Sequence, residues 1–218
     1  MNGNYIFSGK WIGTQMSVED RFAPIFKREF IISKKIEKAE IYICGLGLFE
    51  LKINGNLPDD TVLNPAHTLY SRTVLYRVFD VTKLLEIGNN IITSELGLSF
   101  FNDPTCVWNW DKASWRSSPK LIADIVITYA DGTNETISTD TDWLVTHDGP
   151  TTANSIYLGE TYDARRTDFN WQNALAVDAP EGELKPQYMP PIRRINEFKP
   201  AEIKRLGDGT YIITAPEM

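Results

Sequence analysis

The sequence predicts an all-β protein built as an antiparallel β-sandwich or jelly roll. Short runs in which apolar and polar residues alternate recur along the chain, and no long segment has the 3.6-residue periodicity of a helix. Turn signals separate the runs, and the strongest are Asn54-Gly55 and Asp131-Gly132, whose residues tolerate positive φ. A parallel α/β fold is excluded, because it needs crossover helices and no segment has their pattern.

The predicted strands are rich in β-branched, aromatic and aliphatic side chains, which favour a pleated and half-buried surface. In chain order they are residues 27–32, 39–44, 48–53, 74–79, 90–96, 121–129, 135–139 and 143–146. Residues 80–85 have the pattern of a helical turn, with Asp80 or Thr82 as its cap and Gly88 as its end.

The chain divides by composition into four predicted segments. Residues 1–25 form an N-terminal extension or edge strand, and residues 26–168 form the sandwich. Residues 169–189 are rich in Ala, Pro and Glu and are predicted to be a linker that wraps the sandwich. Residues 190–218 begin with Pro190-Pro191 and contain a strand-like run at 209–214, so we expect them to start a following, truncated β domain.

Composition excludes several classes of protein and partner. The 218 residues carry a net charge of −7, with 42% hydrophobic and 23% charged residues, which is too apolar for a disordered chain. The acidic balance argues against nucleic acid and anionic membrane surfaces as partners, and no apolar run approaches the roughly 20 residues that cross a bilayer. No signal peptide is visible at the N-terminus. Cys44 and Cys106 could pair in one disulfide, but free thiols are favoured, because cysteine usually packs as a small apolar residue.

The sequence contains no recognisable set of catalytic residues. His67 and His147 lack the spacing of metal ligands, and no nucleophile motif is present. Acidic pairs such as Asp59-Asp60 have the setting of solvated turn residues, and neighbours in sequence do not flank a sugar ring as glycosidase carboxylates do. The sequence therefore predicts no catalytic residue in this chain.

A tryptophan-rich segment is the first candidate binding site. Three of the six tryptophans fall within residues 108–115, among Asn and Asp residues. Tryptophan can stack on a sugar ring, while Asn and Asp can bind hydroxyl groups or Ca²⁺. The candidate sugar ligands here are Asn102, Trp108, Asn109 and Trp110, and the candidate metal ligand is Asp103. The alternative is a long loop that buried tryptophans pin to the sandwich, an interpretation that Trp115 favours.

Residues 157–166 are the second candidate. Glu160 and Tyr162 lie in a dense cluster of charged and aromatic residues and could form the polar rim of a glycan site. The alternative is an ion-pair network of Glu160, Asp163 and Arg165 that fixes a strand end to the sandwich.

Five stretches, in order, resemble the amino-terminal β-sandwich of bacterial α-L-rhamnosidases of glycoside hydrolase family 78. They read IYICGLGLFELKING at 41–55, LNPAHTLY at 63–70, YRVFDVTKLL at 76–85, YADGT at 129–133 and GETYDAR at 159–165. The resemblance covers roughly residues 26–194, and it implies a galactose-binding-like sandwich similar to carbohydrate-binding modules.

The resemblance implies a multidomain inverting enzyme that removes terminal α-L-rhamnose, with its catalytic acids on an α/α toroid elsewhere in the polypeptide. Nothing in these 218 residues can build such a toroid. The implied role is therefore a non-catalytic accessory domain, inactive alone, whose partners are a rhamnose-containing glycan and the catalytic domain of the same polypeptide. A bacterial source is implied, periplasmic or extracellular if a signal peptide has been removed and cytoplasmic otherwise.

Some sandwiches of this family resemble carbohydrate-binding modules that hold rhamnose through Ca²⁺, so the resemblance raises the question of a Ca²⁺ site. The family carries polar residues after the strand that ends at 96–97, where this chain has Leu98 and Ser99. Leucine cannot coordinate a metal, so no cofactor is predicted unless Asn102 and Asp103 substitute from a shifted position. A free-standing carbohydrate-binding module or surface interaction domain remains the alternative function.

Overall fold

Two antiparallel sheets packed face to face organise the computed structural model, which describes residues 4–216. The strands are numbered β1 to β18 in chain order. Their bounds are Ile12–Gly13, Ile25–Ile32, Ile36–Leu46, Leu48–Ile53, Thr61–Val62, Thr73–Asp80, Gly88–Gly97, Lys120–Tyr129, Asn134–Ser138, Leu144–Thr146, Thr151–Ser155, Gly159–Tyr162, Gln172–Asn173, Leu175–Ala176, Glu183–Pro186, Ile192–Arg193, Glu202–Gly207 and Thr210–Thr214. This architecture confirms the predicted all-β sandwich class.

The larger sheet has seven strands in the order β14-β1-β8-β3-β6-β15, with β9 also paired to β8. The smaller sheet has five strands in the order β13-β10-β2-β7-β4. All pairings in these two sheets are antiparallel except that of β15 with β6. Short hairpins, β11–β12 and β17–β18, stand outside the two sheets.

The main core lies between the sheets, where alternate side chains of each strand point inward. Phe26 and Phe49 come from the smaller sheet, Trp143 from the residue just before β10, and Ile41 and Ile125 from the larger sheet, and all are buried. A second apolar cluster covers the outer face of the larger sheet. It contains Trp11, Tyr70, Val74, Tyr76, Phe101 and Ile122, with Tyr5 and Phe7 packed on it.

The N-terminal segment crosses this outer face as a strap and is held there by a buried carboxylate. Asp124, on β8, is 0% exposed and accepts hydrogen bonds from the backbone N–H groups of Ser8 and Gly9, at 2.6 and 3.0 Å. The Tyr5 hydroxyl donates to the same side chain at 3.1 Å. The strap ends in β1, which pairs with β8 on one side and β14 on the other.

Two local features differ from or refine the sequence expectations. Asp131-Gly132 turns β8 into β9, with Gly132 at a φ of 80°, as its turn signal predicts. In place of a helical turn, residues 82–84 form a hydrogen-bonded turn, in which Leu84 N–H donates to the Val81 carbonyl at 3.0 Å and Asp80 accepts from Thr82 N–H at 2.9 Å. The one helical segment among the described residues is a 3₁₀ stretch at Val107–Lys112. Within residues 4–216, no helix is long and apolar enough to cross a membrane.

The C-terminal quarter adds strands rather than a bare connection. Residues 169–189 supply β13 and β14, which pair with β10 and β1, and the parallel strand β15 beside β6. Beyond them, every residue of β17 and β18 is exposed. Ile203 pairs with Ile213 and Arg205 with Tyr211, so this hairpin has one predominantly apolar face.

Candidate functional site

A groove of about 610 Å³ runs along β4, the edge strand of the five-stranded sheet, and over the outer face of that sheet. Its floor follows from strand alternation. On β4, Phe49 and Leu51 point into the core, so Glu50 and Lys52 point outward. Glu95 on β7 pairs directly with Glu50 across the two strands and lies on the same outer face.

Two walls rise on either side of this floor. One is the β11–β12 hairpin, whose backbone is tied to the sandwich because Ala23 N–H donates to the Thr151 carbonyl at 3.3 Å. It contributes Ile156, Glu160 and Tyr162 to the lining. The other wall is the loop at 57–64 together with Arg194. Apolar and polar groups therefore alternate around a concave surface, as in small-ligand sites.

Charges in the groove are only partly compensated. Lys52 Nζ lies 2.7 Å from a Glu50 carboxylate oxygen, and Arg77 lies 3.6 Å from Asp59. Among residues 4–216, neither Glu95 nor Glu160 has a cationic side chain within ion-pair distance. Both carboxylates can therefore accept hydrogen bonds from a ligand, although the Thr151 side chain already lies beside that of Glu95.

Burial raises the pKa of Glu95 above its ordinary value, the Thr151 side chain and the charge of Lys52 oppose the increase, and the negative charges of Glu50 and Glu160 add to it. A carboxyl group whose pKa is higher in the fold than in the unfolded chain favours the folded state when it is protonated. That stabilisation is present at low pH and is lost as the pH rises through the raised pKa. At neutral pH, ionised Glu95 therefore costs stability.

The variant Glu95→Gln is expected to raise the free energy of unfolding at pH 7 by less than about 1 kcal/mol, since solvent screens this partly exposed group. The gain is expected to vanish below about pH 4, where glutamate is neutral in both states. Urea titrations across this pH range measure it. Glu37→Gln, at an exposed site on β3, is the matched control. A gain in the free energy of unfolding that does not depend on pH would contradict the raised pKa of Glu95.

The second sequence candidate, Glu160 and Tyr162, falls in this groove, with Tyr162 60% exposed on the rim. The proposed alternative of an ion-pair network is present only in part. Arg165 binds Asp163 at 2.8 Å, whereas Glu160 takes no part in it. Sequence reasoning missed Glu50, Lys52 and Glu95, although their alternation with apolar residues already placed them on an outer face.

The tryptophan-rich segment lies outside the groove lining. Trp110 is half-buried, and its Nε1 donates to the Tyr157 hydroxyl at 2.9 Å, with the Phe100 ring centroid 5.5 Å away. Trp108, by contrast, is 80% exposed. Trp108 and its neighbour Asn109 have φ values of 53° and 57°, a left-handed geometry that turns the chain and directs Trp108 to solvent. Trp110 thus pins the segment, and Trp108 remains available as a stacking surface.

The two remaining candidates are buried at the base of this segment. Asn102 and Asp103 are each 1% exposed. Asn102 Oδ1 accepts from Ser99 N–H at 2.9 Å, and Asp103 accepts from Thr105 N–H at 2.8 Å and from the Ser155 hydroxyl. Both side chains therefore hold the backbone of the segment in place.

This arrangement does not fit Ca²⁺. The ion takes six to eight oxygen ligands, yet both carboxylate oxygens of Asp103 already accept protein hydrogen bonds. Leu98 is buried and offers no side-chain oxygen. Among residues 4–216, no group of three or more His, Cys, Asp or Glu side chains is arranged to hold a metal ion.

Comparison with known proteins assigns the sandwich to a family. Residues 34–196 match the model described as the α-L-rhamnosidase N-terminal domain, which is most of the chain. The chain belongs to the α-L-rhamnosidase N-terminal domain family. The resemblance carried by the five ordered sequence stretches is therefore confirmed, and the chain corresponds to the N-terminal domain of these enzymes.

Relatives of this rhamnosidase N-terminal domain are much longer proteins. An α-L-rhamnosidase of Formosa agariphila is 27% identical over 91% of this chain, which spans only 22% of that relative. The structure of an α-L-rhamnosidase from Dictyoglumus thermophilum matches 95% of this chain with a TM-score of 0.80 and 35% identity, over 25% of its own length. A Streptomyces avermitilis α-L-rhamnosidase complexed with L-rhamnose matches 89% of this chain, at 26% identity and a TM-score of 0.77, over 20% of its length.

Proposed function

We propose that this domain serves an enzyme that hydrolyses terminal α-L-rhamnosides with inversion, and that its groove binds a rhamnose-containing glycan. The catalytic domain of the same polypeptide is then its covalent partner. The observation that carries the proposal is the groove itself, a concave site of about 610 Å³ that combines carboxylates, a lysine and an exposed tyrosine with an apolar lining.

The chemistry of the lining suits a 6-deoxy sugar. Rhamnose has a methyl group and an apolar ring face together with several hydroxyl groups. Leu48 and Ile156 in the lining offer contact surface for the methyl group, and the exposed ring of Tyr162 offers a stacking surface. Glu95 and Glu160 are acceptors for sugar hydroxyl groups. The volume falls within the 300–1,000 Å³ typical of small-ligand sites, so one or two sugar units fit.

Calorimetric titration of the 218-residue chain with methyl α-L-rhamnoside and a rhamnose-capped disaccharide tests the proposal. Tyr162→Ala removes a stacking surface and Glu160→Gln removes a charged acceptor, each worth about 1–2 kcal/mol. Each variant is therefore expected to weaken binding about tenfold. Trp108→Ala is expected to leave the affinity unchanged, because Trp108 lies outside the groove. A calcium chelator is expected to have no effect.

The opposite pattern of affinities in these variants would place the binding site elsewhere. Loss of binding in Trp108→Ala, with Tyr162→Ala unaffected, would assign recognition to the tryptophan-rich segment instead. No binding of either rhamnoside would contradict glycan recognition and leave the domain a packing role in its enzyme. The alternative function is a free-standing carbohydrate-binding module. Glycan binding by such a module and by a domain of a larger enzyme would use the same groove.

A further inference from the structure

We infer that ligand binding in the groove is coupled to the course of the chain beyond the sandwich, because the segment by which the chain leaves the sandwich also holds one groove wall. We call residues 187–194 the exit segment, and the wall that it holds is the loop at 57–64. This inference rests on the proposed function for its ligand, and it concerns how the rest of the polypeptide affects binding at that site.

The exit segment is bonded to the wall through its backbone and through an ion pair. Its strand β16 pairs antiparallel with β5, which lies within the loop. The Arg194 N–H donates to the Asp60 carbonyl at 3.0 Å, and the Arg193 guanidinium binds the Asp60 carboxylate. Arg194 also contributes to the groove lining itself. The exit segment is therefore a structural part of this wall.

The beginning of the exit segment is fixed to the larger sheet. Gln187 follows β15, and its N–H donates to the Tyr76 carbonyl on β6 at 2.9 Å. Its side chain accepts from the Ala66 N–H at 3.0 Å and donates to the Met189 carbonyl at 3.2 Å. Because this end is fixed, a displacement of the chain after residue 194 acts first on β16, and through β16 on the loop.

The loop in turn is bonded to the groove floor. The Phe49 N–H on β4 donates to the Asn64 carbonyl at 2.7 Å. The side chain of Asn64, a residue that is 5% exposed, donates to Thr61 Oγ1 at 3.0 Å. Hydrogen bonds therefore connect β4 through the loop to β16, and such contiguous networks can carry coupling between two parts of a protein.

The attachment of β16 is weak enough to respond to the chain beyond it. Both residues of β16 are exposed, and its only strand partner among the described residues is β5. Residues 194–200 form no helix or strand, and the β17–β18 hairpin beyond them pairs with no other described strand. Short exposed strand pairs open at a lower free energy than core strands do. A ligand that contacts the wall favours the arrangement with β16 attached, so its affinity depends on that attachment.

Arg193→Ala and Asp60→Ala test the coupling, because each removes the same ion pair while the two change the net charge in opposite directions. Neither side chain lines the groove, and the ligand is a neutral rhamnose-capped disaccharide. Each variant is expected to weaken calorimetric binding of the disaccharide about threefold, the size typical of one exposed ion pair. The double variant is expected to bind no more weakly than either single variant.

Two control variants accompany this titration. Arg193→Lys keeps the positive charge and is expected to recover most of the affinity. Lys38→Ala removes an exposed ion pair of 2.9 Å on β3, outside the groove lining, and is expected to leave the affinity unchanged.

Amide hydrogen exchange provides a readout that also works without ligand. In Arg193→Ala and Asp60→Ala, the amides of residues 57–64 are expected to exchange about threefold faster, while those of β8 in the core exchange as in the unmodified chain. Saturating disaccharide is expected to slow exchange in the loop and in the exit segment together.

Three results would overturn the coupling. The first is unchanged exchange of the loop in both variants, and the second is protection by the ligand that leaves the exit segment unaffected. The third is opposite changes of affinity in Arg193→Ala and Asp60→Ala, which would assign the effect to net charge. If the disaccharide does not bind, the proposed function fails, whereas faster exchange of the loop in both variants would still support its link to the exit segment.

Discussion

The variant Trp143→Ala is expected to lower the free energy of unfolding by about 4 kcal/mol, which is within the range for removing a buried aromatic ring. Trp143 is 0% exposed and is the largest fully buried side chain. Its ring lies in the core between the two sheets, and its Nε1 donates to the Ser138 carbonyl at 3.0 Å. Truncation leaves both a cavity and a carbonyl without its donor.

Trp143→Phe separates these two effects, because it keeps most of the apolar ring and removes the hydrogen bond. We expect it to cost about 1–2 kcal/mol. Urea denaturation of the three proteins at one pH provides the comparison, with an unchanged dependence on denaturant as the sign that the same structure unfolds. If Trp143→Ala stays within about 1 kcal/mol of the unmodified chain, the core assignment is wrong.

The second large effect is expected at Asp124, whose loss should detach the N-terminal strap from the larger sheet. Asp124→Ala removes three hydrogen bonds, including those from the Ser8 and Gly9 N–H groups. The two N–H groups would be left without an acceptor beneath the strap, and a cost of about 3 kcal/mol follows. The strap lies close against the sheet at Gly9, where a Cβ would be 2.6 Å from Thr139 Oγ1 and 3.0 Å from Asp124 Oδ1.

Tyr5→Phe is the matched control for Asp124→Ala, because it deletes only one of the three donors and keeps the ring. It is expected to cost about 1 kcal/mol. Amide hydrogen exchange gives the local readout, since residues 8–13 should exchange much faster in Asp124→Ala. Equal stability of Asp124→Ala and Tyr5→Phe would show that the strap is held by its aromatic contacts instead.

The long strands could be predicted because their alternation records which face meets the core. On β4, for example, Phe49, Leu51 and Ile53 alternate with Leu48, Glu50 and Lys52. The short strands could not be predicted. β1, β13 and β14 have two residues each, which is too few for a period, and their pairing depends on tertiary contacts.

The roles of residues in the tryptophan-rich segment could also not be predicted from the sequence. Its polar residues suggested ligands, yet Asn102 and Asp103 turn inward to satisfy backbone N–H groups that no strand partner serves. The left-handed pair Trp108 and Asn109 has no sequence signal comparable to Asn-Gly, because a bulky residue rarely adopts positive φ.

Only part of the groove could be predicted from the sequence. Glu160 and Tyr162 belong to a dense cluster of charged and aromatic residues, which indicates a site. Glu50 and Glu95 have the alternating pattern of any solvent-exposed face of a sheet, which does not. Only the β11–β12 hairpin, placed beside the outer faces of β4 and β7, makes a concave site of them. Such an arrangement depends on contacts between residues far apart in the chain, which strand periodicity does not encode.

Backbone amide shift mapping of the isotope-labelled chain during titration with methyl α-L-rhamnoside tests the central claim most directly. We expect saturable shift changes concentrated in the groove strands β4, β7 and β12, strongest around Glu50, Glu95 and Tyr162. Changes confined to Val107–Lys112, or no saturable change at all, would contradict it.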